Sequence, residues 1–169
     1  MRKPTAAVTS VAFFAVAPGT VAGILPWQLT DGWTRNDVAE GLPLTIVGTV
    51  VSAGGIAALI GTFTLYVTQG RGTPAPLAPT DVLVVRGLNR YVRNPMYLAV
   101  VAAITGQALA LGQPVLLGYA AVVWVTVAAF ARWYEEPALA RQFGAQYEAY
   151  RRGVPAWRPR IRPWKQNPG

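Results

Sequence analysis

Long uncharged runs separated by short charged segments set the character of this chain. The first run covers residues 4–30, directly after Arg2 and Lys3, and polar residues from Asp31 to Glu40 end it. The second extends from Gly41 to Gly70 without a charge. A Gly/Pro-rich connection follows at 70–81, then a short amphipathic stretch, 82–93, carrying Arg86, Arg90 and Arg93. Pro95 opens a third apolar run, Met96 to Leu111; Gly112-Gln113-Pro114 reads as a tight turn, and Val115 to Ala131 runs back. The first two runs exceed the roughly 20 apolar residues that span a bilayer. The last two, about 16 residues each, read as a helical hairpin in a locally thinned bilayer.

Smaller features refine this pattern. Ala15-Val16-Ala17 resembles a signal-peptide cleavage site. Pro18 follows it, however, and apolar residues continue through Val21, Ile24, Leu25 and Trp27, so a retained helix is expected. Gly54 and Ala58, and Ala57 and Gly61, are small residues four apart on one helix face, a pattern that lets helices approach closely. Simple abundance of Gly and Ala is the alternative. Beyond Arg132, Leu139, Phe143, Tyr147, Tyr150 and Val154 mark one face of a helix. Glu135, Glu136 and Pro137 suit its start. It is expected at the membrane surface, followed by a tail holding Trp157, Trp164, Arg158, Arg160, Arg162 and Lys165, residues suited to an interface with anionic lipid.

The expected fold is an all-α integral membrane domain of about four transmembrane helices with a cytoplasmic C-terminal amphipathic helix. Its parts are two spans in 1–70, a cytoplasmic loop at 71–95, the hairpin at 96–134, and a cytoplasmic cofactor-covering helix and tail at 135–169. Composition agrees: charged residues are 13% of the 169, against roughly 25% in soluble chains. The net charge of +8 is read as a membrane rather than a nucleic-acid signal, because the basic residues sit just outside the apolar runs. If both termini and the 71–93 loop share one side, that side holds 14 of the 15 basic residues, all but Arg35. The positive-inside rule then places both termini in the cytoplasm. The absence of Cys and His excludes disulfides, thiolate chemistry and a histidine base, and leaves a zinc site only carboxylates.

Candidate chemistry lies at the ends of the hairpin runs, where ionisable groups are costly in lipid and need partners. One cluster is Arg90-Tyr91-Val92-Arg93-Asn94-Pro95-Met96-Tyr97; the other is Arg132-Trp133-Tyr134-Glu135-Glu136. A tight hairpin brings these ends together, so Asn94, Tyr97, Arg132 and Glu136 should converge. Snorkelling arginine, interfacial tyrosine and a helix-start glutamate are the non-functional readings of the same residues.

The stretch GLNRYVRNPMYLA, Gly87 to Ala99, resembles the G-x-Y-R-x-V-R-H-P-x-Y-x-G motif of the isoprenylcysteine carboxyl methyltransferase family. EEPALARQFGAQYEAYRRGVP, Glu135 to Pro155, resembles the same family's second block, and the related phospholipid methyltransferases share this two-block pattern. The likeness covers roughly 87–158. It implies S-adenosylmethionine (AdoMet) as methyl donor, bound at the cytoplasmic end of the hairpin under the C-terminal segment. It implies cofactor contacts from Gly87, Asn94, Pro95, Met96 and Tyr97, from Gln107, Ala108, Leu109 and Ala110 in a bordering stretch that starts at Gly106, and from Glu136 through the donor's ammonium. Arg132 matches an arginine facing the acceptor, and Ala102 falls where an acceptor-contacting tyrosine stands. The chain departs from the pattern at Asn94, where the motif has His, at Asn89 (Tyr), at Ala99 (Gly) and at Ala102.

Methyl transfer needs alignment and desolvation rather than a covalent enzyme intermediate. A carboxylate acceptor is already nucleophilic, and Arg132 could grip it. An amine would have to lose a proton with no histidine to take it. The expectation is therefore a membrane methyltransferase acting on a lipophilic acceptor, with a carboxylate favoured and an amine or hydroxyl lipid the alternative. A non-catalytic module with a decayed motif and an NADPH-dependent reductase are the rivals from other classes. No nucleic-acid partner is expected, and the sequence leaves the oligomeric state open.

Overall fold

The computed structural model describes residues 16–36, 41–69 and 82–165. Among them the chain is helical or irregular, with no strand. Helix α1 runs from residue 16 to Leu29 and is widened over Thr20–Ile24. Helix α2 is Leu42–Gln69, α3 Pro95–Leu111, α4 Pro114–Phe130 and α5 Glu136–Gly153, with a wide turn, Ala131–Glu135, joining α4 to α5. The 70–81 connection, Ala15 and the Asp37–Glu40 segment lie outside the described residues.

Two helices are long and apolar enough to cross a membrane, Leu42–Thr68 and Pro114–Gly153, and only 17% and 22% of their most apolar stretches are buried. Leu42, Ile46, Val50 and Ile60 on α2, and Val122 and Val125 on α4, are each more than half exposed. Such continuous apolar surface is foreign to a monomer in water and natural against lipid. Helix α3 is apolar but shorter. Among the described residues, therefore, two helices have spanning length, where the sequence pattern led us to expect about four.

Helices α2 and α3 touch backbone to backbone. A Cβ on Gly48 would sit 2.3 Å from the Ala110 nitrogen, one on Gly55 2.7 Å from that of Ala103, and one on Gly106 2.3 Å from that of Ser52. Ser52 Oγ donates to the Ala103 carbonyl at 3.2 Å across the same seam. Small residues thus do set this contact, but on a different face from the one expected. Nothing lies within 4 Å of a Cβ built on Gly54 or Gly61. Of the four residues expected there, Ala58 alone packs against the core that Leu59, Ala99, Ile104 and Ala108 share with Leu116 and Ala120 of α4.

The hairpin turn forms where the sequence places it. Gly112 ends α3 in a left-handed conformation (φ 64°), and Pro114 begins α4. Left-handed backbone at a helix end favours glycine, and proline suits a first turn.

Both widened turns precede a proline. Pro137 has no N–H for the carbonyl four residues back, and the chain takes the wider hydrogen-bond register over Ala131–Glu135. As a result α4 continues into α5 without a break, and Glu135 and Glu136 stand in a bent continuous helix rather than at a free helix start. Helix α5 then kinks sharply at Gly144 (φ 49°, ψ −125°). The single straight helix expected at 137–154 is thereby folded back. Arg151 Nε comes within 4.0 Å of Glu136 Oε2, whereas 15 residues of straight helix would separate their backbones by about 22 Å. The kink buries Tyr147, Tyr150 and Val154 against Leu83, Val85, Leu139, Phe143 and Trp164.

Candidate functional site

The two sequence blocks are stitched together by hydrogen bonds. Arg93 N donates to the Pro155 carbonyl, Arg160 N to that of Tyr91 and Trp164 N to that of Arg90, each at 2.9 Å. Arg90 Nε donates to the Trp164 carbonyl at 2.9 Å, and Tyr150 Oη to that of Asn89 at 2.7 Å. Asn94, in the motif His position, uses its Nδ2 to reach the Ala156 carbonyl at 3.3 Å. The C-terminal segment is thus fastened over the start of α3, and Trp157 meets Trp124 of α4 edge-on at 6.4 Å.

Under this cover, Arg93 Nη1 donates to Glu136 Oε1 at 2.9 Å and to Tyr147 Oη at 3.0 Å, while its Nε donates to the Val154 carbonyl at 3.0 Å. The Arg93 and Glu136 side chains are 11% and 12% exposed. Arg132 Nη1 reaches Glu136 Oε2 at 3.3 Å from a side chain that is 65% exposed. Glu136 is therefore fixed from one side and flanked on the open side by Arg132 and Arg151. Asn94, Tyr97, Arg132 and Glu136 come to one end of the α3–α4 hairpin.

The neighbouring Glu135 has a different setting. Tyr97 Oη donates to its Oε1 at 2.6 Å, and no arginine pairs with it among the described residues. Burial pushes its carboxyl above the usual carboxylate range, with the Tyr97 hydrogen bond pulling the other way. Tyr66, in the last turn of α2, lies near Glu135 and donates to Asn89 Oδ1 at 3.3 Å. Asn89 is 1% exposed and its Nδ2 has no partner.

Several predicted contacts fall elsewhere. Gln107 is ten residues beyond Tyr97 on α3, about 15 Å along the helix. Its Nε2 donates to the Ala22 carbonyl at 2.9 Å and its Oε1 accepts from Trp33 Nε1 at 3.1 Å. Ala22 lies in the widened turn that precedes Pro26, where the helical hydrogen-bond register is disturbed. Ala108 is core, Ala110 lies in the α2 seam and Leu109 is half-buried beside them. The structure does not bring this stretch to the Glu136 end; packing accounts for it. Met96 joins the helix core, and buried Pro95 opens α3. Gly87 has φ 54° and starts a tight turn, Gly87–Arg90. Ala102 is half-buried, five residues after Tyr97 and so about 140° round α3 from it.

Arg93, Glu135, Tyr66 and Tyr147 also line the site, and the sequence pattern does not mark them as site residues. Arg93 and Glu135 stand inside the two motif blocks. Tyr66 carries its own signal, a phenol in the last turn of an apolar run.

This architecture, apolar helices with a polar, partly covered cluster at one end, is that of a membrane-associated helical protein. Residues 37–146 match the model of the phospholipid methyltransferase family, most of the chain, and the chain belongs to that family. It is thereby a membrane methyltransferase, of a family that generally uses AdoMet. No curated protein and no solved structure matches it.

The residues present fit the amino-acid end of AdoMet. That group carries an ammonium and a carboxylate, and the site offers a fixed carboxylate, Glu136, beside two accessible guanidiniums. Opposite charges at this spacing complement a zwitterion.

Proposed function

We propose that this chain transfers the methyl group of AdoMet to a lipophilic acceptor that enters from the bilayer. The observation that carries the proposal is the family match together with the meeting of both motif blocks at one end of the hairpin. In this reading α1 to α4 lie in the membrane as four spans, the short α3 and α4 in thinned lipid, and both termini face the cytoplasm. Charge asymmetry supports that orientation.

Glu136 would hold the donor's ammonium, with Asn94 and the segment it tethers closing over the site. AdoMet supplies an electrophilic methyl on a cationic sulfur. The chain's part is to hold donor and acceptor in line and keep water out, which can contribute several kcal/mol to the barrier. Arg93 fixes the Glu136 carboxylate, and Arg132, exposed at the boundary, can take an anionic part of the acceptor.

A carboxylate acceptor remains the simplest case chemically. The lack of histidine favours it, but half-buried Glu135 is a group able to take a proton. An amine lipid, in keeping with the family's description, is therefore the second reading. Incubating the detergent-solubilised protein with methyl-labelled AdoMet and lipid extract tests the proposal. Label should enter the organic phase. Alkali releases it as methanol from a carboxyl ester and leaves it in an N-methyl lipid. No organic-phase label from any extract would overturn the assignment.

A further inference from the structure

The two adjacent glutamates are held in opposite ways. Glu136 faces Arg93, Arg132 and Arg151. Glu135 is half-buried, accepts one hydrogen bond from Tyr97, and has no cationic partner among the described residues. The titratable groups that face it are the phenols of Tyr97 from α3 and Tyr66 from α2. A carboxylate left without a counter-charge in a partly desolvated site is a place for a cation, or for a proton.

We propose that Glu135, positioned by Tyr97, is the base that removes the proton from an ammonium acceptor. The inference rests on the methyltransferase reading above. The acceptor ammonium has no lone pair and cannot attack. Its N–H bond breaks, the proton forms an O–H bond on Glu135, and the nitrogen keeps the electron pair. That pair bonds the methyl carbon, while the former C–S electrons stay on sulfur as a neutral thioether. Glu135 later returns its proton to water.

Neighbouring observations support this role. Burial raises the affinity of Glu135 for a proton, which moves it towards the range where a base works best near neutral pH. Glu136 is ringed by the guanidiniums of Arg93, Arg132 and Arg151, a setting for ion pairing. Two like groups with opposed environments divide into different tasks.

Glu135→Gln keeps the side-chain shape and a carbonyl for Tyr97 to bond, so it tests the proton rather than the packing. Phosphatidylethanolamine in mixed micelles and oleic acid serve as amine and carboxylate probes. Calorimetry reads AdoMet binding, and infrared spectra read the protonated carboxyl across pH. Glu135→Gln should bind AdoMet within about threefold of wild type, while amine methylation at neutral pH falls about 100-fold or more. Its rate should rise with pH where the wild type levels off, and one titrating carboxyl band should vanish. Transfer to oleic acid, if the wild type shows any, should be spared. Three results overturn the proposal: undiminished amine methylation in Glu135→Gln, AdoMet binding lost in it, or wild type that methylates oleic acid alone. The last would leave the methyltransferase assignment standing, whereas a folded wild type that binds no AdoMet would remove both.

Discussion

The two ends of the α3–α4 hairpin treat polar groups differently. At the turn end, side chains satisfy the main chain. Gln107 bonds the Ala22 carbonyl, Tyr119 Oη that of Val21 at 2.9 Å, and Gln113 Nε2 that of Thr34 at 2.9 Å. Each reaches a main-chain carbonyl in a widened turn or a loop. At the other end side chains answer one another. Glu136 is shared among arginines, and Glu135 and Asn89 Nδ2 are left partly unanswered. Among the described residues, one end satisfies its polar groups internally, while the other leaves some of them partly unanswered.

That contrast can be broken experimentally. The largest effect is expected from the seam that supports both ends. Gly106→Leu would place a side chain where the α2 backbone runs, since even its Cβ falls 2.3 Å from Ser52 N. It should cost about 3 kcal/mol or more, read as a drop in thermal midpoint in detergent. Gly54→Leu and Gly61→Leu, with nothing within 4 Å, are the controls; they should shift stability by no more than about 0.5 kcal/mol.

A smaller effect is expected at the turn end. Gln107→Leu removes the side-chain partner of the Ala22 carbonyl and of Trp33 Nε1. It should destabilise by about 1–3 kcal/mol and leave AdoMet affinity unchanged in the folded fraction. An affinity loss without a stability loss would instead place Gln107 at the cofactor, as the family resemblance implied.

Much of this fold is legible in the sequence. The charge-free run at 41–70 becomes α2, and Gly112 and Pro114 fix the turn because each backbone conformation favours that residue. The site end was legible too, since a hairpin must bring the clusters at Arg93 and Arg132 together. What escaped depends on rotation and bending. Helix period alone cannot choose Gly48, Gly55 and Gly106 over Gly54 and Gly61 as the contact face. Glycine within an amphipathic pattern did not announce that Gly144 turns the chain back, so Arg151 was not foreseen beside Glu136. Gln107 is assigned by resemblance, and the sequence does not show that its amide meets the Ala22 carbonyl 85 positions earlier. The roles of adjacent Glu135 and Glu136 depend on which arginines reach each, and spacing does not encode that.

The account turns on Glu136 as the anchor for the methyl donor. Glu136→Gln keeps a hydrogen-bond acceptor for Arg93 and so preserves the fold, whereas alanine would strand a mostly buried guanidinium. Calorimetry of AdoMet binding to the detergent-solubilised wild type and this variant is the most direct test. The account predicts saturable binding to wild type, weakened about 10- to 100-fold in Glu136→Gln, with the thermal midpoint nearly unchanged. Equal affinity in the two proteins would contradict it.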